Sequence, residues 1–176
     1  IPYLEDKEEM YRMLSDAIKG VYASVYYKDS KAYMQATSNV IDQEKMAVIL
    51  QEVVGTQHGE RFYPSISGVA RSLNYYPIGE EKAEEGIVSL ALGKYIVDGG
   101  LTLRVCPYHP TQVLQTSEME MALRETQTSF YALDLKNKGE NFSLNDGFNL
   151  LKLPVKEAEK DGALQFIAST YDPYDM

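Results

Sequence analysis

The side chains in this sequence that could bind a metal, attack a carbonyl or shuttle a proton are few and scattered. His58 and His109 are its two histidines, and neither stands beside a cysteine, another histidine or an HExxH-type helical pairing. Metal-ligand spacing is therefore absent, and each reads as a surface loop histidine. Cys106 is the one cysteine and precedes Pro107 in a strand-like run; there a small buried hydrophobe is expected rather than a nucleophile. Neither a GxSxG elbow nor a GxxxxGK[ST] phosphate loop occurs.

Three other features could touch a ligand. Phosphate binding needs glycines that let backbone N–H groups approach oxygens, and the nearest pattern is Leu92-Gly93-Lys94 followed by Asp98-Gly99-Gly100; alone it reads as a loop with turn glycines. The acidic run 79–85 (GEEKAEE) reads as a solvated, mobile face. Gln51 and Glu52 interrupt the apolar run 46–54 (MAVILQEVV) near its end. Polar residues closing a buried strand need partners. An adenine edge, which asks for a backbone donor and acceptor beside an apolar slot, is one such partner; the other reading is that the strand reaches solvent there.

These residues need elements to hold them. From residue 4 to 27, Met10, Tyr11, Leu14, Ala17, Ile18, Val21, Tyr22 and Val25 recur at three-to-four-residue spacing, which predicts an amphipathic helix. Asp29-Ser30 reads as a break before a short second helix over 31–36. Residues 46–54 predict a strand buried on both faces, 55–60 a polar turn, and 67–76 a second strand. Further strands are expected over 86–92, 101–105, 128–135 and 163–170. Ser117 and Glu120 have the capping-box pattern for a helix over 117–124, and Pro154 opens a short helix over 155–160. Residues 94–98 are a helical turn or loop, and 136–147 are turn-rich.

At 176 residues and 44% hydrophobic content, one domain is expected. A net charge of -9 repels phosphate backbones and anionic membranes, so a broad nucleic-acid footprint is not expected. A single cysteine rules out an internal disulfide and suits the cytoplasm. No apolar run approaches the roughly 20 residues that span a bilayer. The chain starts without Met and stops just after a strand-like run, which suggests a fragment of a longer protein. The fourteen tyrosines suit half-buried sheet surfaces.

Residues 46–54 (MAVILQEVV), Ser67-Gly68-Val69 and residues 86–100 (GIVSLALGKYIVDGG) fall in the order and spacing of the phosphoenolpyruvate synthase and pyruvate, phosphate dikinase family. Residues 17–33 (AIKGVYASVYYKDSKAY) resemble that family's "ASLY…RA..YR" helix. The resemblance covers roughly residues 10 to 100; residues 120–135 (EMALRETQTSFYALDL) look like a divergent branch. It implies an α+β fold, a partial ATP-grasp-like domain with mainly antiparallel sheet and an N-terminal helical segment: 1–40 helical, 41–176 sheet-rich.

The resemblance also implies chemistry. In the family this domain passes the β-phosphoryl of ATP, clamped by magnesium, to a histidine of a swivelling domain, which delivers it to pyruvate in a third domain. ATP and Mg2+ are thus the implied cofactors, and the phosphohistidine and pyruvate-binding domains the implied partners. Gln51 matches the glutamine ending the hinge strand, and Glu52, Val53 and Val54 the adenine-lining stretch. Ser67-Gly68-Val69 matches a wall strand, and Arg71 stands where relatives often carry an aromatic. The Gly-Leu-Gly-Glu turn is Ala91-Leu92-Gly93-Lys94 here; a lysine can meet a phosphate but cannot replace a metal-facing carboxylate.

The family's phosphate loop, Asp-x-Glu metal ligands, Gln-x-Arg-Pro strand and Thr-Ser-His phosphohistidine motif are not found in these residues. The expectation is therefore a fragment inactive alone. Two alternatives stand: a related dikinase acting on another acceptor, such as starch or an antibiotic, and a non-catalytic α+β protein-interaction module.

Overall fold

The computed structural model describes residues 6–37, 44–94, 102–136 and 149–168. Its first helix, α1 (Lys7–Ser24), starts where Asp6 accepts the backbone N–H groups of Glu8 at 2.9 Å and Glu9 at 3.2 Å. That side-chain cap satisfies donors the helix leaves open, and Glu8 and Glu9 place negative charge at its positive end. Met13 is the buried residue of this helix. The chain breaks at Val25–Tyr27 rather than at Asp29-Ser30, which lie inside α2 (Lys28–Ala36). The expected break sat at residues that prefer helix starts: Asp29 occupies the first turn of α2, where an acid is favourable. Ser30 ties the helices together by donating to the Ser24 carbonyl at 2.7 Å.

The chain divides into two compact units, Ile1–Val53 with Leu135–Phe148, and Val54–Asp134 with Asn149–Met176. The second unit carries both sheets, and every pairing in them is antiparallel. One sheet joins β1 (Thr56–His58), β2 (Arg61–Tyr63), β6 (Ser129–Asp134) and β7 (Leu150–Pro154) in the order β1-β2-β6-β7. The other joins β3 (Ser67–Arg71), β4 (Ile87–Ala91) and β5 (Leu103–Val105). Helices α3 (Met119–Glu125) and α4 (Val155–Lys160) complete the unit. The architecture is α+β with antiparallel sheet and an N-terminal helical segment.

The core lies on the first sheet. Tyr63, Leu92, Phe130, Ala132 and Ala158 are buried together, with Leu153, Val155, Leu164 and Ile167 packed around them. The alternation of β6 explains this: Phe130 and Ala132 point inward, as period-2 geometry requires. Tyr63 and Phe130 rings meet at 4.7 Å and 53°, a tilted arrangement that aromatic quadrupoles favour.

Several expectations are corrected. Residues 55–60 hold strand β1 and the tip of a hairpin, because polar residues suffice on an edge strand once β2 pairs with it. Only 67–71 of 67–76 is strand. Strand β7 forms in the gap between the expected turn and the expected helix, where no element was expected. The Ser117 hydroxyl donates back to the Leu114 carbonyl at 2.8 Å, and α3 is capped at Glu118 without a side-chain bond, so the capping box is not made. Residues 163–168 are turns and coil rather than strand, since Leu164 and Ile167 are drawn onto the core one turn apart. Residues 95–101, 137–148 and 169–170 lie outside the described ones. No helix among the described residues is long and apolar enough to cross a membrane.

Candidate functional site

The apolar run 46–54 was expected to be a strand buried on both faces, and it is neither strand nor buried. Its backbone is irregular throughout, and Ile49 is 88% and Val54 78% exposed. The reason is physical: β-branched sequence makes a strand only when another strand offers its ladder, and no strand among the described residues pairs with this one. Gln51, Glu52 and Val53 belong to the first unit and Val54 opens the second. All four are exposed, and none forms a hydrogen bond among the described residues. Their N–H and C=O groups are open to a ligand.

Within the second unit, the residue after Val54 is fixed in place. A Cβ on Gly55 would lie 2.8 Å from the Tyr63 carbonyl carbon and 3.0 Å from Pro64 N, so only glycine lets the chain run against the end of β2. Strand β3 holds Ser67, Gly68 and Val69 as an edge strand, with Gly68 and Val69 exposed. Arg71 ends it and is exposed.

The turn that follows β4 is held by several hydrogen bonds. Gln127 acts as a surrogate strand for Leu92: its Oε1 accepts Leu92 N–H at 2.8 Å and its Nε2 donates to the Leu92 carbonyl at 3.0 Å. Gly93 N–H donates to the Pro64 carbonyl at 3.1 Å, and Lys94 N–H to the Tyr131 carbonyl at 2.7 Å. The Ser67 hydroxyl donates to the Gly93 carbonyl. Gly93 has φ +77, and a Cβ there would meet Tyr131 O at 2.7 Å. This turn thus bridges Pro64 and β6.

The acidic run 79–85 is not simply a solvated face. Asn74 is fully buried and donates to Glu81 Oε2 at 3.0 Å, and that oxygen also accepts Ile78 N–H at 3.0 Å. Glu85 Oε2 accepts Lys82 N–H at 2.9 Å, lies 3.3 Å from His109 Nε2 and receives the Cys106 thiol at 3.8 Å. The Lys82 amide, with His109 adding to it against partial desolvation, holds the Glu85 carboxyl below its ordinary range. Cys106 is buried, as expected. The one sequence signal for this role is the three-residue spacing of Lys82 and Glu85, which lets a carboxylate fold back onto a turn amide.

His58 packs its ring 4.7 Å from that of Tyr63, so neither histidine is a free loop residue. Sequence reasoning also missed the network of Arg61, Tyr63, Glu157 and Asp161, whose members lie about a hundred positions apart. Arg61 donates to Glu157 Oε2 at 3.0 Å and Asp161 Oδ1 at 2.7 Å, pinning α4 onto β2. In the first unit, Tyr22, Val25, Tyr26, Glu44, Lys45 and Met46 line an open recess of about 540 Å3. Among the described residues no group of three or more His, Cys, Asp or Glu is placed to hold a metal ion.

A family model described as pyruvate phosphate dikinase, AMP/ATP-binding domain, matches residues 4–150. No curated protein and no solved structure matches the chain.

Proposed function

The chain belongs to the pyruvate phosphate dikinase AMP/ATP-binding domain family, and from that premise we propose that it supplies the adenine-binding hinge of a phosphoenolpyruvate synthase-like phosphotransferase. ATP binding follows from the family. Gln51 and the backbone of Glu52, Val53 and Val54 address the adenine edge. The observation that carries this is the open backbone of Gln51 to Val54, exposed and without hydrogen bonds among the described residues. Adenine offers one donor and one acceptor on its edge, and an unpaired backbone offers the complement.

The whole chain is one fragment of that nucleotide-binding domain, with a helical part over 1–40 and a sheet-rich part over 41–176. The parent makes phosphoenolpyruvate from pyruvate and ATP, through a phosphohistidine on a separate domain and a pyruvate site on a third. Magnesium accompanies the nucleotide, but the described residues do not form a site for it. A cytoplasmic location fits the single buried thiol of Cys106.

Alone, the chain transfers no phosphoryl group. Both histidines are engaged, His58 against Tyr63 and His109 beside Glu85, and among the described residues no carboxylate group is set for the metal. The test is phosphate release from ATP and Mg2+ by the purified protein. The reading expects none above the buffer rate; steady release that disappears in Gln51→Ala overturns it.

A further inference from the structure

The run 46–54 leaves more open than a nucleotide would use. Ile49 is 88%, Leu50 67% and Val53 45% exposed, and no residue from 46 to 53 forms a hydrogen bond or joins a strand ladder among the described residues. Apolar and β-branched side chains with neither Pro nor Gly between them make a segment that pairs edge to edge with another strand when one is offered. The described strands all lie between residues 56 and 154, in the second unit. The first unit, which holds 46–53, has none among the described residues to offer it.

A second copy of the same segment fits this need. Residues 46–51 carry no charge in a chain of net charge -9, so the general repulsion between two copies has no local charge to add to it there. An antiparallel pair of identical segments is self-complementary about a twofold axis, residue i facing j as j faces i. Centred on Val48, such a pair sets Glu44 directly opposite Glu52, which like-charge repulsion disfavours. Centred on Leu50, it sets Val48 and Ile49 against Glu52 and Gln51. Centred on Ile49, it sets Val48 opposite Leu50, Ala47 opposite Gln51, Met46 opposite Glu52 and Lys45 opposite Val53, with no like charges opposed.

We propose that two copies of the chain associate by antiparallel pairing of residues 46–52 about a twofold axis at Ile49. The pairing supplies the partner strand that the composition of the run asks for, and it sets Ile49 beside its own copy and Val48 beside Leu50. It uses the backbone groups of alternate residues along one edge. The groups on the other edge stay open, so the proposal goes beyond the nucleotide reading without depending on it.

Sedimentation equilibrium of the protein and of Ile49→Asp, from micromolar to millimolar concentration, tests it. Ile49 is exposed and outside the core, so the substitution leaves the fold intact, and thermal melting checks this. The wild type should approach twice the chain mass, and Ile49→Asp should keep the mass of a single chain. Ile49→Cys in a glutathione redox buffer reads the register. Directly opposed Cα atoms lie about 4.5–5.5 Å apart, within disulfide reach, and the native Cys106 is buried. Ile49→Cys should therefore form a covalent dimer, and Tyr33→Cys, exposed on α2, should not. A single-chain mass for the wild type at every concentration, an unchanged dimer in Ile49→Asp, or assemblies that keep growing with concentration overturns the pairing. A dimer lost in Ile49→Asp but not cross-linked by Ile49→Cys, or cross-linked equally by Tyr33→Cys, overturns the register at Ile49.

Discussion

The Tyr63 hydroxyl donates to Asp161 Oδ2 at 2.6 Å, while Arg61 holds the other oxygen of the same carboxylate at 2.7 Å. One aspartate, the C-cap of α4, thereby links that helix to the core tyrosine of β2 and to the arginine two positions before it.

Removing Asp161 leaves a buried phenol and a half-buried guanidinium short of a partner. Asp161→Ala should lower stability by about 1–3 kcal/mol, and Tyr63→Phe by about 1 kcal/mol. Urea denaturation of each variant checks the order: Asp161→Ala must be the costlier of the two.

Burial, and then the hydrogen bond to Asp161, raise the Tyr63 phenol well above its usual 10.0. A raised folded value means that the contribution is complete below the unfolded value and is lost as pH climbs past it. The denaturation midpoint should fall above about pH 10, the reference phenol value, and less steeply in Tyr63→Phe.

Glu157 is held below its usual 4.5 first by the hydrogen bond from Lys160, then by that from Arg61. Here the sign is opposite: the contribution exists above the unfolded value and disappears as pH falls through the lower folded one. Midpoints measured downward from pH 5 should decline, and Glu157→Gln should flatten that decline.

How much of this was legible beforehand depends on range. Helix α1, strands β4, β5 and β6 and helix α4 announce themselves by local period, and the structure forms them. The run 46–54 shows the limit: its composition asks for a buried strand, but a strand needs a partner that composition cannot name. β7 was missed because Pro154 signals a helix start and hid the Leu-Leu-Lys-Leu ladder before it. Arg61 and Asp161 meet only through the fold, so no spacing could pair them. In the candidate site, Gly93 and Lys94 were visible as a turn; that Gln127 and Pro64 fix it was not.

Gly93 tests that anchoring. Its φ of +77 alone should cost Gly93→Ala about 1–2 kcal/mol, and a Cβ 2.7 Å from Tyr131 O adds overlap with backbone. Thermal unfolding should show a loss above that range's lower end, and hydrogen exchange at Leu92 and Lys94 should accelerate.

Nucleotide binding itself is the central claim, and thermal unfolding with and without millimolar ATP measures it most directly. A ligand that binds only the folded state at a hundred times its Kd adds about 2.7 kcal/mol, which for a chain of this size raises Tm by roughly 5–10 °C. The account predicts such a rise with ATP, reduced in Gln51→Ala. An unchanged Tm at millimolar ATP would contradict it.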